Sequence, residues 1–172
     1  MQPLLPERRV LYAGGAMATI AAAAYPEIVA AVGVHSGLAR GAASNVLEAL
    51  TVMQSGGSNW GVPCISMNVS APAIVFHGDQ DQTVQPRNGE QIIAAVLGRE
   101  SYADIERGVS PAGRRFARSI HVDDKGRRVV EHWLVQGARH AWSGGDQGGS
   151  CTRASIPDAT REMMSFSPHP RT

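Results

Sequence analysis

The stretch VFHGDQDQTV, residues 75–84, decides the fold, because a short apolar run passes here directly into a polar turn with two carboxylates. Residues 73–76 are apolar without alternation, which is typical of a strand buried on both faces of a parallel sheet. The pattern His-Gly-x-x-Asp-x-x-Val follows at once. Acidic residues in such loops commonly only shape the turn or cap the next helix. The spacing nevertheless favours a functional carboxylate, at Asp81 rather than Asp79.

Outward from this stretch, apolar runs alternate with segments of helical character. Three further strands are predicted, at residues 10–12, 28–34 and 127–135. Four helices are predicted, at residues 16–25, 44–53, 88–97 and 157–166. Residues 99–118 are charged and interrupted by glycine and proline, and their structure stays open. The alternation predicts an α/β protein with a mostly parallel sheet of about four strands and helices on both faces.

Length and composition fit one globular domain and narrow the function classes. The chain has 172 residues, of which 43% are hydrophobic and 18% charged, and its net charge is +1. We therefore expect neither nucleic acid nor a membrane as partner. The longest apolar run, residues 19–24, is too short to span a bilayer, and residues 1–9 lack the pattern of a signal peptide. No CxxC spacing occurs, so no metal site is expected, and Cys64 and Cys151 could be paired or free.

A histidine later in the chain completes a candidate acid–base pair. The carboxyl ends of parallel strands meet at one edge of a sheet, where ligands bind. His140 follows the strand predicted at residues 127–135, and enough chain separates it from Asp81 for a helix and a return strand. A carboxylate that holds one ring nitrogen lets the other accept a proton from a hydroxyl group. We therefore predict Asp81 as the catalytic acid and His140 as the base.

Five segments, in order, resemble the polyhydroxybutyrate depolymerase family of esterases, which includes feruloyl and acetylxylan esterases. They are AGGAM at residues 13–17, VGVHSG at 32–37, VFHGD at 75–79, HAWSGG at 140–145 and PDATREM at 157–163. The resemblance implies an extracellular serine esterase of the α/β-hydrolase fold that needs no cofactor. It implies polyester, feruloyl or acetyl esters as substrates, and it places the family's acid on Asp81 and its base on His140. On this interpretation residues 1–172 are a single C-terminal fragment of the catalytic domain, with a partial α/β-hydrolase fold.

The chain departs from the family at the nucleophile. The family's Gly-Leu-Ser falls on residues 10–12, so Tyr12 stands in the nucleophile position, and the N–H of Ala13 is the remaining oxyanion-hole donor. An alternative alignment, anchored at residues 9–10, loses the serine as well, and Ser36 ends a different strand. A phenol has a pKa of about 10 and reaches further than a serine hydroxyl. We expect an inactive or severely impaired enzyme, since loss of a triad nucleophile costs about a millionfold in turnover.

Three interpretations follow from this departure. The first is an esterase whose sequence is truncated or frameshifted before Tyr12. The second is a pseudoenzyme that keeps the fold as a module for binding an ester polymer, and the third, the least favoured, is a hydrolase that uses Tyr12 itself. If the chain folds alone, the strand at residues 10–12 is an unprotected edge that could pair with another chain, and we expect marginal stability or self-association.

Aromatic and histidine side chains near the predicted edge are minor candidates. Trp142, beside His140, and Trp60, in a Gly-rich loop, are predicted to line the substrate pocket. For His35 and His77 we prefer a role as hydrogen-bonded core residues over a role beside the catalytic pair. The arginines between residues 99 and 128 are interpreted as a solvated face.

Overall fold

The structure, a computed structural model, describes residues 9–12, 15–56, 71–98, 103–111, 113–145, 152–153 and 157–166. Its six main strands are β1 (Arg9–Tyr12), β2 (Ala31–His35), β3 (Ala73–Gly78), β4 (Ala103–Val109), β5 (Arg115–Val122) and β6 (Arg128–Val135). Its helices are α1 (Gly15–Ala24), α2 (Val46–Ser55), α3 (Arg87–Leu97) and α4 (Ala159–Ser165). Two short strands, β7 (Trp142–Ser143) and β8 (Thr152–Arg153), pair parallel to each other apart from the main sheet.

The main sheet has the order β1-β2-β3-β6-β5-β4. Strands β1, β2, β3 and β6 are parallel neighbours, whereas β5 runs antiparallel to both β6 and β4. The expected parallel sheet of about four strands is therefore partly right. The two additional strands, β4 and β5, begin in the charged segment at residues 99–118, which carried no prediction, and β5 continues beyond it to Val122. They form a hairpin at one end of the sheet.

Helices cover both faces of the parallel part, as predicted from its continuous apolar strands. On one face, Ala18 of α1 and Ile92 of α3 belong to a core cluster with Val34 and Val75. On the other face, Met163 of α4 packs in a cluster that includes Ile74, Phe76 and Trp133. Side chains alternate across a strand, so β2 and β3 each contribute to both clusters. None of the helices in the described part of the chain has the length and apolarity of a membrane-spanning segment.

Two glycines let the end of β2 approach the start of α1. A Cβ atom on Gly37 would collide with the backbone of Gly15, and one on Gly15 would collide with the side chain of Val34. The contact therefore requires glycine at both positions. It fixes where α1 begins relative to the carboxyl ends of β1 and β2, which is where the polar residues of the chain gather.

Candidate active site

Four strand ends bring the predicted site residues to one edge of the sheet. Strand β1 ends at Tyr12, β2 at His35, β3 at Gly78 and β6 at Val135. Asp81 follows β3 and His140 follows β6, each within a short turn. Because these four strands are parallel neighbours, their carboxyl ends lie side by side.

The Asp81 carboxylate is buried and held by its own loop. Its Oδ1 accepts hydrogen bonds from the N–H groups of Thr83 (3.0 Å) and Val84 (2.9 Å). Burial by itself would raise the pKa of Asp81, but the Val84 N–H, the His140 ring and the Ser36 hydroxyl outweigh it, and the pKa is lowered. The carboxyl group is thus ionised at neutral pH and acts only as an acceptor.

The structure brings His140 to Asp81. The Nδ1 atom of His140 lies 2.8 Å from Oδ2 of Asp81, and the His140 side chain is 43% exposed. Since an ionised carboxylate cannot donate, Nδ1 carries the proton of the neutral ring, and Nε2 keeps a free lone pair. This is the arrangement in which a histidine can accept a proton from a hydroxyl group.

Asp79, the other carboxylate of this loop, has a different partner. Its Oδ1 accepts a hydrogen bond of 2.6 Å from the N–H of Gly137, in the turn after β6. The Gln80 N–H also donates to the carbonyl of Ala138 (3.0 Å). These two bonds tie the loop that carries the acid to the loop that carries the base.

His77 supports the same loop from inside the core. It is fully buried, and its Nε2 lies 2.8 Å from the carbonyl oxygen of Val84, which can only accept, so Nε2 carries the proton. Burial lowers the pKa of His77, so the ring is neutral. Its Nε2 is 3.7 Å from Oδ2 of Asp81. His77 therefore fixes the backbone that follows Asp81 and remains part of the core.

His35 makes the contact that sequence reasoning undervalued. Its Nε2 lies 2.9 Å from both the backbone N and the Oγ of Ser143, and both residues are buried. Its ring stacks on Trp142, with 4.8 Å between the centroids. The segment VGVHSG did contain a signal, a pair of polar residues at the end of a buried strand. It could not indicate Ser143, the partner of His35, which is 108 residues away in the sequence.

The remaining predicted site residues have few contacts in the described part of the chain or lie outside it. Trp142 is partly buried between His35 and α4, and its Nε1 donates to Oγ1 of Thr160 (3.0 Å), so its place in a substrate pocket stays a prediction. Tyr12 is the last residue of β1. Ala13, Trp60, Cys64 and Cys151 lie outside the described residues.

A cavity of about 560 Å³ opens beside this edge, against the β4–β5 hairpin. Val109 and Leu134 form part of its apolar wall, and Arg107, Arg115 and Asp79 add charged groups. Asp79 connects it to the acid loop, but Asp81 and His140 are not among its lining residues. In the part of the chain that the structure describes, no group of three or more His, Cys, Asp or Glu side chains is arranged to hold a metal ion.

Comparisons with known proteins identify the family and the fold of the chain. The family model described as "Esterase PHB depolymerase" matches residues 6–117. A solved structure described as a PHB depolymerase with one serine-to-alanine substitution, complexed with R3HB trimer, aligns with a TM-score of 0.56 over 94% of this chain at 15% identity. This chain spans 52% of that chain, so about half of its length has no counterpart here. No curated relative matches the sequence.

Proposed function

The chain belongs to the PHB depolymerase family of esterases, and from that premise we propose that it carries the acid–base half of an ester-hydrolysing site without the family's nucleophile. Asp81 is the acid of this site and His140 its base. The observation that carries the proposal is the contact of 2.8 Å between Nδ1 of His140 and Oδ2 of Asp81. It joins a buried, ionised carboxylate to a half-exposed ring at the carboxyl edge of a parallel sheet.

In ester hydrolysis, this pair would activate a hydroxyl group. Nε2 of His140 removes the hydroxyl proton while the oxygen attacks the ester carbonyl, and the carboxylate of Asp81 stabilises the imidazolium that forms. The base then returns the proton to the leaving alkoxide. The N–H of Ala13 is the proposed donor to the oxyanion of the tetrahedral intermediate. None of these steps proceeds without a hydroxyl group within reach of Nε2.

Position 12 is where that hydroxyl is missing. Strand β1 ends at Tyr12 and helix α1 begins at Gly15, so position 12 lies at the end of a strand shortly before a helix, as the serine of a nucleophile elbow does. A tyrosine there places its oxygen several ångströms further from the backbone than a serine would. We propose that the chain as it stands hydrolyses esters very slowly or not at all, and that a serine at this position would supply the missing group.

We propose esters of hydroxy acids, including polymeric ones, as the ligands, with feruloyl and acetyl esters as further candidates. The solved relative carries a serine-to-alanine substitution and is complexed with R3HB trimer, so loss of one serine is compatible with oligomer binding in that protein. This supports the second candidate function, an ester-polymer binding module. By family resemblance we also propose an extracellular location, and by the edge position of β1 self-association.

Labelling with a fluorophosphonate tests the proposed acid–base pair without requiring turnover. A serine oxygen attacks phosphorus, fluoride leaves, and the base accepts the serine proton. We expect no labelling of residue 12 in the native chain and covalent labelling in Tyr12→Ser. The combined variant Tyr12→Ser, His140→Ala should lose that labelling, since it has no base.

Hydrolysis of p-nitrophenyl acetate provides the complementary measurement. We expect little or no hydrolysis by the native chain above its own His140→Ala variant. Turnover in the native chain that disappears in His140→Ala would refute the proposed loss of the nucleophile. Equal labelling of Tyr12→Ser with and without His140 would refute the assignment of the base. Retained binding of a 3-hydroxybutyrate oligomer by the native chain, without hydrolysis, would favour the binding module.

A further inference from the structure

We propose that His35, the last residue of β2, is a positioning residue for His140, the base of the acid–base pair. His35 anchors the loop that carries His140 through its contacts with Ser143 and Trp142. The inference rests on the proposed function for its purpose, but its geometry and its test are independent of turnover. It gives a role to the segment VGVHSG, whose presence the acid–base pair alone does not explain.

The contact between His35 and Ser143 defines the state of the ring. A backbone N–H can only donate, so Nε2 of His35, at 2.9 Å from the Ser143 nitrogen, must accept and cannot carry a proton. The Ser143 hydroxyl lies at the same distance from Nε2. Burial first, and the neighbouring His77 and His140 next, lower the pKa of His35 to about 3. His35 is therefore a constant acceptor across the pH range in which the pair would act.

Ring stacking joins this anchor to the core. His35 lies between Trp142, at 4.8 Å, and Phe76, at 6.0 Å, and Phe76 stacks on Trp133 at 5.1 Å. Trp142 and Ser143 follow His140 by only two and three residues, which leaves the base little freedom to move away. On its other side the loop is tied to Asp79 through Gly137. The loop of His140 is thus anchored at both ends, and His35 supplies one of the anchors.

Ser36, the residue after His35, has a strained backbone conformation. It has φ +48°, the only positive φ of a non-glycine residue among those the structure describes. Its N–H donates to the carbonyl of Phe76 in β3 (3.0 Å). A left-handed residue costs conformational energy, and it persists only where the surrounding structure holds it in place. The chain next to His35 is therefore held firmly, which fits a fixed position for the His35 ring.

Side-chain ¹⁵N NMR of His140 tests the inference, because it reports which ring nitrogen carries the proton. In the native chain at pH 8 we expect the proton on Nδ1, held by Asp81. In His35→Ala we expect a mixture of tautomers and at least tenfold faster exchange of the Nδ1 proton with water. His35→Gln keeps an acceptor for the Ser143 N–H but not the stacked ring, so its exchange rate should lie between those of the two proteins.

His132→Ala is the matched control for His35→Ala. His132 is a partly buried histidine with a pKa lowered to about 4 mainly by burial, but it lies within β6. We expect its replacement to lower stability and to leave the His140 tautomer unchanged. If His35→Ala, or His35→Gln where the alanine variant fails to fold, leaves the His140 tautomer and proton exchange unchanged, His35 is only a core residue and the inference fails.

If Tyr12→Ser fails to react with the fluorophosphonate while the exchange rate of the His140 Nδ1 proton responds to replacement of His35 as expected, the proposed function fails and the positioning role stands.

Discussion

The parallel part of the sheet and the β4–β5 hairpin are built by different means. Every residue of β2 and β3 is buried, because helices lie on both of their faces. Strand β4 has no buried residue, and β5 has one, His121. The parallel strands are therefore held by packing between distant segments, whereas the hairpin is held mainly by its local pairing and by its junction with β6.

This difference in packing indicates which part of the sheet should hold the functional site. The acid–base pair and its supports lie at the carboxyl edge of the parallel part, where buried contacts fix each side chain. The hairpin contributes a wall to the neighbouring cavity, with exposed groups that can change without loss of the fold. Perturbations of the parallel part should therefore be costly for both stability and the site, and perturbations of the hairpin should be mild.

Phe76→Ala should have the largest effect on stability. Phe76 is fully buried in β3 between the rings of His35 and Trp133, and loss of such a side chain costs about 3–5 kcal/mol. Ile105→Ala, in β4, removes a side chain that is 51% exposed and should cost about 0.5 kcal/mol or less. Urea unfolding followed by circular dichroism measures both. Equal losses would show that the hairpin contributes as much packing as the parallel core.

The same contrast explains how much of the fold could be predicted. Continuous apolar runs predicted β2 and β3, because burial on both faces leaves a direct trace in the sequence. Strands β4 and β5 were not predicted, because polar residues lie on both of their faces and interruptions such as Pro111 hide the alternating pattern of a strand. Helix α2 was predicted at residues 44–53, and in the structure it begins after Asn45, whose side chain accepts from the N–H of Glu48.

The candidate site also contains residues that could be predicted from the sequence and contacts that could not. Asp81 and His140 could be proposed because each follows a recognisable strand within a family-like motif. The bond from Gly137 to Asp79 and the contact of His35 with Ser143 could not, because they depend on which loops the fold brings together. Sequence motifs here indicate the reacting groups, and the positions of their supports become visible only in three dimensions.

Arg118→Met, at the junction of hairpin and parallel part, should have an intermediate effect. Nη2 of Arg118 in β5 donates to buried Glu131 in β6 (2.8 Å), which also accepts from Nε1 of Trp133 (2.7 Å). Removal of one partner leaves a buried carboxylate with fewer hydrogen bonds, but Arg128 remains 3.5 Å away. We expect a loss of about 1–3 kcal/mol in urea unfolding, the cost of removing one hydrogen-bond partner from a buried polar group.

Glu106→Gln is the matched control on the hairpin side. Glu106 pairs with the same arginine at 3.0 Å, but its side chain is 53% exposed. Its loss should cost less than about 1 kcal/mol, since water screens the pair. A larger loss for Glu106→Gln than for Arg118→Met would contradict the view that the junction is held by its buried side.

The last expected effect is a dependence of stability on pH that originates in the parallel part of the sheet. Burial lowers the pKa of His35 to about 3 and that of His132 to about 4, from 6.5. Between these values and 6.5 the unfolded chain binds protons that the folded chain does not, so stability falls as pH decreases through this window. Each histidine contributes up to about 1.4 kcal/mol per pH unit within it. Unfolding free energies at pH 7, 6 and 5 should show this decline.

Replacement of each histidine by glutamine assigns that slope to its source. His35→Gln and His132→Gln should each flatten the decline between pH 6 and pH 5, because neither variant has the ring that must remain neutral when folded. His121→Gln, in β5 of the hairpin, should flatten it less, since burial lowers the pKa of His121 by a smaller amount. If His121→Gln flattens the slope most, the acid sensitivity belongs to the hairpin, and the two parts of the sheet differ less in their electrostatics than in their packing.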